Sequence, residues 1–339
     1  MRHILFLLAL LCARGVLQQS AALAITIDTV PVGNPGNAND PANNLSVPGI
    51  GSVNYNYSIG KYDVTVGQYA AFLNAVAATD TYELYVPNMA TDLNVAGIAQ
   101  NGNSGSFTYS VIGSPNHPIT YVNWFDAARF VNWLSNGQPT GAEGTGTTET
   151  GTYTLNGSNP TNVARNSNAT WVIPTENEWY KAAYYNPNTR SYYLYPFSSS
   201  TVPTSAMPGS TPNTGNFQAV TNTGIGVFAV TDSSSLSTSQ NYLTDVGAYT
   251  ASASPYGAFD MGGDVFQWNE TLISGNRGNR GGWWALNSVY LASSSRVSIV
   301  PTSETSEIGF RVALVPEPST AVLASIACGL MWALCKRRK

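Results

Sequence analysis

The sequence predicts an α+β domain with few helices, many irregular loops and a terminal set of short strands. Three segments carry apolar residues at helical spacing, and segments rich in Gly, Ser, Thr and Asn separate them. Among these, residues 137–161 predict a loop or weak hairpin and residues 198–241 predict a loop. From Val246 onward, short aromatic segments alternate with glycine turns, which is typical of strands. A chain of 339 residues allows one large domain or two small ones, with a core of considerable size.

Each predicted helix has an apolar face and a recognisable first residue. The first helix follows Thr65, which is placed as its N-cap, and the second includes Trp124 and the residues after it. The third follows Thr175, and Glu178 lies at the spacing of a capping box, in which the two residues satisfy each other's amide groups. These signals predict three helices.

The N-terminus predicts export. Arg2 and His3 give a positively charged start, residues 4–11 form an apolar run, and residues 22–24 read Ala-Leu-Ala, a small-x-small cleavage site. The run is too short to span a bilayer. We therefore interpret residues 1–24 as a secretory signal peptide, with a plain N-terminal helix as the alternative.

The C-terminus has three parts. Residues 316–318 read Pro-Glu-Pro, residues 321–334 are apolar, and residues 336–339 are basic. Basic residues stay on the cytoplasmic side, so the body of the protein is expected outside. Residues 316–339 resemble the PEP-CTERM sorting signal of Gram-negative bacteria, which implies an exosortase-type partner and a location at the outer surface of the cell envelope. A plain membrane anchor with a short transmembrane segment is the alternative.

The charge distribution argues against a nucleic-acid partner. The whole chain has 15 basic and 19 acidic residues, and six of the basic ones lie in the two terminal segments. The body between them is therefore acidic, whereas binding to the phosphate backbone requires a basic patch.

Cysteine and histidine usage excludes much of enzyme chemistry. Cys12, Cys328 and Cys335 are the three cysteines of the chain, and all lie in the terminal segments. The body therefore has no thiol nucleophile, disulfide or thiolate metal site. Its one histidine is His117, which is too few for zinc or iron sites built from several imidazoles.

Six motifs follow one another in a distinctive order: IGKYDVTVGQYAAFLN (59–74), HPITYVNWFDAARFVNWL (117–134), WVIPTENEWYKAAYY (171–185), SPYGAFDMGGDVFQWNE (254–270), NRGGWW (279–284) and EIGFRVAL (307–314). The series resembles the sulfatase-modifying factor, or formylglycine-generating enzyme, family. The resemblance covers residues 50–315 and leaves residues 25–49 as an N-terminal strand and loop segment. It implies an irregular C-type-lectin-like fold with low regular secondary structure, small antiparallel sheets and about three helices.

The resemblance also shows which chemistry is missing. Family enzymes oxidise a substrate cysteine with oxygen and a copper(I) ion held by two cysteine thiolates, which are soft ligands that select copper(I). The family's cysteines fall near Leu286 and Leu291, and the serine of its R-G-G-S motif is Trp283 here. Leucine has no lone pair for a metal, so we expect neither copper nor the thiol oxidase mechanism. A second branch uses iron held by several histidines, which this body lacks.

A structural calcium ion is a cofactor that the resemblance still allows, because calcium accepts carboxylate, amide and carbonyl oxygens. The implied ligands of a first ion are Asp260, the carbonyl groups of Gly263 and Val265, and Gln267. Gln267 replaces the usual glutamate, which should weaken binding. Asn216 and the carbonyl of Phe217 could hold a second ion, with Asp245 poorly aligned. The alternative is a glycine-rich turn capped by Asp260.

Several motif residues have a simple structural interpretation. Trp124, Trp179 and Trp268 lie among small apolar residues and are expected in the core. Arg311 is expected to be a buried arginine paired with a carboxylate, and His117 a loop residue with a hydrogen-bonding role.

Three functional hypotheses follow. The first is a non-catalytic envelope module whose loops bind a polysaccharide or a surface protein. The second is an enzyme that acts on an exported substrate without cysteine. Its acid and base groups would come from four residues: Asp264, Glu270, Arg277 and Arg280. The third is a structural matrix protein, which the low charge and many Tyr and Asn residues allow.

Overall fold

The computed structural model describes residues 24–41, 49–220 and 224–316. Nearly all of the predicted signal peptide and sorting tail, including the apolar segment at 321–334, lies outside these residues. Within the described part of the chain, no helix combines the length and the apolar character needed to cross a membrane.

The three helices expected from the sequence are present, and two shorter ones join them. The α-helices are α1 (Val66–Val76), α2 (Asn88–Thr91), α3 (Trp124–Ser135) and α4 (Glu176–Tyr184), and a 3-10 turn covers Ser288–Leu291. Thr65 caps α1 by accepting the backbone N–H of Gln68, and Thr175 with Glu178 forms the capping box of α4. The two short helices escaped prediction because four residues carry no readable periodicity.

In the described residues, sixteen short strands make up the rest of the regular structure: β1 (Thr29–Val32), β2 (Tyr57–Gly60), β3 (Ile98–Asn101), β4 (Thr108–Val111), β5 (Trp171–Val172), β6 (Tyr185–Asn186), β7 (Ser191–Tyr192), β8 (Thr204–Ser205), β9 (Thr214–Gly215), β10 (Gln218–Val220), β11 (Gly226–Phe228), β12 (Phe266–Ile273), β13 (Asn276–Arg280), β14 (Val297–Ile299), β15 (Ile308–Gly309) and β16 (Ala313–Leu314). Most pairs are antiparallel, and β12 with β15 and β8 with β9 are parallel. The expected α+β class, with small sheets and little regular structure, is confirmed.

One four-stranded sheet joins the two ends of the domain in the order β1-β2-β16-β5. Ile59 of β2 pairs with Val30 on one side and with Ala313 on the other. The N-terminal segment that the sequence separated from the main domain is therefore part of the same sheet.

The second four-stranded sheet has the order β14-β13-β12-β15 and carries parts of the last three motifs. Its hairpin β12–β13 is interrupted by a register shift between Trp268 and Leu272, and such an irregularity bends a strand, here β12. Trp268 lies on β12, and its indole N–H donates to the carbonyl of Val122 at 2.9 Å. This bond ties the sheet to the start of α3.

The main core forms where α1 and α3 pack against the second sheet. Tyr69, Phe130 and Phe310 contact one another with ring centroids 5.4–6.5 Å apart. Trp124 and Trp268 are fully buried in the same cluster, and Trp179 is fully buried in a second cluster beneath the first sheet. The expectation that these tryptophans are core residues is confirmed.

The long loop between α3 and β5 is held by side chains of α3 rather than by strands. Arg129 pairs with Glu149, with 2.7 Å between Nε and Oε1, and both side chains are buried. Asn132 donates to the carbonyls of Thr148 and Tyr153 and accepts the N–H of Tyr153. These bonds satisfy buried backbone groups that a hairpin would otherwise pair.

Candidate functional site

The motif residues meet around the guanidinium of Arg311, which follows β15 and is fully buried. Its hydrogen-bond acceptors come from four segments of the chain, namely Gln267 Oε1 (2.6 Å), the carbonyl of Gly60 (2.8 Å), Asp63 Oδ1 (3.2 Å) and the carbonyls of Phe259 (2.9 Å) and Asp260 (3.1 Å). A guanidinium suits this position because its donors form a planar fork. The expected pairing of Arg311 with a carboxylate is confirmed by the ion pair with Asp63.

Gln267 on β12 is the second member of this hub. Its side-chain oxygen accepts the indole N–H of Trp179 at 2.6 Å and the Arg311 Nε–H at 2.6 Å. Its amide nitrogen donates to the carbonyl of Asp260 at 2.7 Å. Two donors therefore occupy the two lone pairs of the Gln267 oxygen.

This geometry bears on the first implied calcium site. Asp260 has a left-handed backbone with φ of 55°, and its Oδ2 accepts the N–H of Gly247 at 2.6 Å. Burial raises the pKa of Asp260 to about 6. The Gln267 oxygen, already shared by Trp179 and Arg311, has no lone pair left for a calcium ion. The residues of the first site as placed do not fit the ion.

The residues of the second implied calcium site form a separate buried network. Asn216 donates to the carbonyl of Tyr242 and to Asp264 Oδ1, each at 2.7 Å, which leaves its side-chain oxygen for another partner. Thr244 donates its N–H to Asp264 Oδ1 at 2.8 Å and its hydroxyl to Oδ2 at 2.6 Å. Burial, reinforced by the nearby carboxylate of Asp260, raises the pKa of Asp264 to about 7. The oxygen-rich Asn216 region is therefore compatible with a cation.

Two further implied ligands and the poorly aligned Asp245 have ordinary partners. The carbonyl of Phe217 accepts the hydroxyl of Ser205, and the carbonyl of Gly263 accepts the N–H of Val265 at 2.7 Å. Asp245 accepts the hydroxyl of Ser114 and lies 3.7 Å from His117 Nε2. Within the described residues, no group of three or more His, Cys, Asp or Glu could hold a metal.

Gly263 is required by the close approach of two loops. Its φ is 86°, and a Cβ atom there would lie 2.3 Å from the carbonyl oxygen of Asn216. The amide of Asp264 donates to that same carbonyl at 2.8 Å. Any side chain at Gly263 would separate the Asp260 turn from the Asn216 segment.

Leu286 and Leu291, near which the resemblance places the family's cysteines, pack among apolar side chains. Leu291 is fully buried against Phe197 and Phe217. Leu286 is half-buried against the main core, and its carbonyl accepts the N–H of Gln218 at 2.8 Å. Gly282, in the motif that precedes them, allows close packing, because a Cβ atom there would lie 2.8 Å from Leu291 Cδ1.

An aromatic cluster stands next to these leucines. Trp284 stacks on Tyr242 with ring centroids 4.5 Å apart and an angle of 10° between the planes. Phe228 packs against both rings, and Trp283 lies edge-on to Trp284 at 4.9 Å. Trp283 and Trp284, which precede Leu286 in the chain, thus serve as packing residues.

The four residues considered as acid and base groups have separate structural partners. The carboxylate of Asp264 belongs to the Thr244 network, and Arg280 pairs with Glu176 at 2.7 Å. Glu270 pairs with Arg165, and burial raises the pKa of Glu270 to about 7. Arg277 lies over the ring of Trp124 at 3.7 Å and donates to backbone carbonyls. All four are buried, so this geometry does not favour the enzyme hypothesis.

Sequence reasoning missed the second role of the acidic residues in α4. Glu178 both completes the capping box and pairs with Arg165 at 2.6 Å. Glu176 bridges Arg280 and Arg296, at 2.7 and 2.5 Å. The excess of carboxylates at the start of one helix was the available signal.

Replacing Arg311 by methionine tests the hub. We expect Arg311→Met to lower the free energy of unfolding by about 3–5 kcal/mol, because Asp63 then becomes an uncompensated buried charge. Urea unfolding followed by tryptophan fluorescence measures the change. The same substitution at the exposed Arg190 serves as the control and should change stability by no more than about 0.5 kcal/mol. Equal effects of the two substitutions would show that the hub does not stabilise the fold.

Comparison with known proteins gives the family. The profile of the sulfatase-modifying factor enzyme 1-like domain matches residues 29–315. The crystal structure of CarF is similar over 86% of this chain and 99% of its own, with 18% identity and a TM-score of 0.51. Treponema denticola variable protein 1 is 19% identical over 87% of this chain and 97% of its own, with a TM-score of 0.49. The structure of PvdO from Pseudomonas aeruginosa is 15% identical, covers 86% of this chain and 92% of its own, and has a TM-score of 0.47. No curated protein sequence matches significantly. The family profile spans most of the chain, and the protein belongs to the sulfatase-modifying factor enzyme 1-like family.

Proposed function

We propose that this protein is an exported, envelope-anchored binding module that keeps its family's scaffold without the thiol–copper oxidase activity. One observation carries the proposal. Leu286 and Leu291 stand near the family's cysteine positions, and Leu291 is fully buried between Phe197 and Phe217. Packed leucines have no lone pairs for copper(I), which binds soft thiolate ligands.

The composition of the body supports the same conclusion. The sequence has no cysteine between residues 24 and 316, and its one histidine there, His117, contacts Asp245. Neither a thiolate pair nor a cluster of imidazoles can form from these residues. The ordered loops provide the surface for binding, because loops held by a rigid scaffold commonly carry recognition.

The terminal segments supply the cellular setting of the proposal. The signal-like N-terminus and the Pro-Glu-Pro tail point to export, sorting by an exosortase-type enzyme and attachment to the membrane through the C-terminal segment. In that setting, we propose an extracellular polysaccharide or a surface protein as the partner, and no nucleic acid because the body is acidic.

A calcium ion is proposed only for the region of Asn216 and Phe217. We expect calcium to raise the thermal unfolding midpoint relative to a chelator, because an added cation would offset the repulsion between Asp264 and Asp260. Replacing Asn216 by leucine should abolish the calcium effect, whereas Gln267→Leu should lower stability and leave that effect in place. An identical midpoint with calcium and with chelator would contradict the proposal.

Peptide oxidation tests the absence of oxidase activity. The full chain carrying Cys12→Ser, Cys328→Ser and Cys335→Ser is incubated with copper(I), oxygen and a cysteine peptide of the sulfatase type. We expect no aldehyde product by mass spectrometry beyond that formed with copper alone, since the variant has no thiol. A family enzyme that retains both cysteines serves as the positive control. Aldehyde formation that depends on the variant would overturn the proposal.

A further inference from the structure

A polar groove opens beside the C-terminal end of α4. It has a volume of about 420 Å³ and is lined by residues 34–38, Tyr185 and Arg190. This volume lies within the range of small-molecule sites. The groove is separate from the Arg311 hub and from the leucines at the cysteine positions, so neither of these features explains it.

The wall of the groove is fixed by buried hydrogen bonds. Asn37 donates to the carbonyl of Gly51 and to the hydroxyl of Tyr192, each at 2.7 Å, and accepts the N–H of Val53 at 3.1 Å. Tyr185 lines the groove and packs against Tyr192, with ring centroids 5.1 Å apart. A groove held in this way is formed before a ligand arrives, which reduces the entropic cost of binding.

Arg190 has an unusual position among the arginines that the structure describes. It is exposed, and no carboxylate or carbonyl of the described residues contacts its guanidinium. The other described arginines all have such acceptors: Arg129, Arg165, Arg280, Arg296 and Arg311 pair with carboxylates, and Arg277 donates to carbonyls. The guanidinium of Arg190 therefore has all five donors available at the mouth of the groove.

A second cation lies behind the groove wall. Lys181 is buried, and its Nζ donates to the carbonyl of Asn34 at 2.9 Å. No carboxylate of the described residues lies within ion-pair distance of Lys181, and burial lowers the pKa of this lysine to about 8. The acidic residue close to this region, Asp40, accepts the hydroxyl of Tyr180 at 2.6 Å. Two cations, Arg190 and Lys181, thus outnumber the one carboxylate, Asp40, among these three groups.

We propose that this groove binds a carboxylate-bearing sugar residue of an acidic polysaccharide. The proposal rests on the binding function above and names its ligand class. The planar guanidinium of Arg190 matches a planar carboxylate through two parallel hydrogen bonds. Asn34, whose side-chain oxygen accepts the Tyr256 hydroxyl at 3.1 Å, keeps its amide nitrogen for a sugar hydroxyl.

The position of α4 favours a carboxylate over a phosphate. The groove lies beyond the C-terminal end of this helix, where the backbone carbonyls give a partial negative charge. A phosphate dianion is best accommodated at helix N-termini, where amides converge. With the carboxylate of Asp40 counted, Arg190 and Lys181 leave one positive charge, which balances a single negative charge better than two.

Isothermal titration of the full chain tests the proposal. The probes are oligomers of galacturonate, glucuronate and mannuronate, with their methyl esters and inorganic phosphate as comparisons. We expect at least one acidic oligomer to bind, the matching ester to bind at least about 10-fold more weakly, and phosphate not to bind. Replacing Arg190 by alanine should weaken binding by about 10-fold or more, which corresponds to the loss of a charge-assisted pair.

The control variant is Lys61→Ala, which removes the same charge at a site where the ammonium lies over Tyr62 and Phe259 instead. It should bind like the unmodified chain. Lys181→Met should weaken binding less than Arg190→Ala, and circular dichroism verifies that each variant is folded. Unchanged binding by Arg190→Ala, equal binding of the esters, stronger binding of phosphate, or no binding of any acidic oligomer would each overturn the proposal. These titration results would overturn only the proposed ligand class and not the binding-module function. Aldehyde formation in the peptide assay would instead overturn the non-catalytic function and would not bear on what the groove binds.

Discussion

The buried guanidinium of Arg311 is the constraint on which the rest of the domain depends. It joins the end of β2, the turn at Asp63, the Asp260 loop and Gln267 on β12 within one set of hydrogen bonds. A charge removed from water in this way is tolerated only when nearly every donor has an acceptor. The four segments must therefore meet in one arrangement. This arrangement fixes the two four-stranded sheets and the turn at Asp260 relative to one another, although little of the chain is regular.

The residues that hold the fold together are different from Leu286 and Leu291, near which the resemblance places the family's cysteines. The hub, the capping box of α4 and the tight approach of Gly263 to Asn216 require specific residues, and they are present here. In the segment after the R-G-G motif, Leu286 and Leu291 make apolar contacts and take no part in the hub. The same scaffold also presents preformed surfaces, such as the Arg190 groove, away from these two leucines.

Local signals in the sequence predicted much of the fold. The helical spacing and the caps at Thr65 and Thr175 depend on residues three or four positions apart, so they could be read directly. The pairing of β1, β2 and β16 could not, because it joins the two ends of the domain. For the same reason, the sequence implies Gln267 as a calcium ligand but does not show that two distant residues, Trp179 and Arg311, donate to its oxygen. The position of Arg190 beside residues 34–38 also depends on tertiary structure alone.

The affinity of this protein for copper(I) tests most directly whether the chain can form the copper site of the family. The full chain with its three terminal-segment cysteines replaced by serine would compete for copper(I) with a chromophoric chelator, and a family enzyme with both cysteines would define the positive response. We expect the chelator to keep all of its copper at every concentration of the cysteine-free chain. Stoichiometric transfer of one copper(I) ion to that chain would contradict it, because leucines packed against Phe197 and Phe217 cannot supply the ligands.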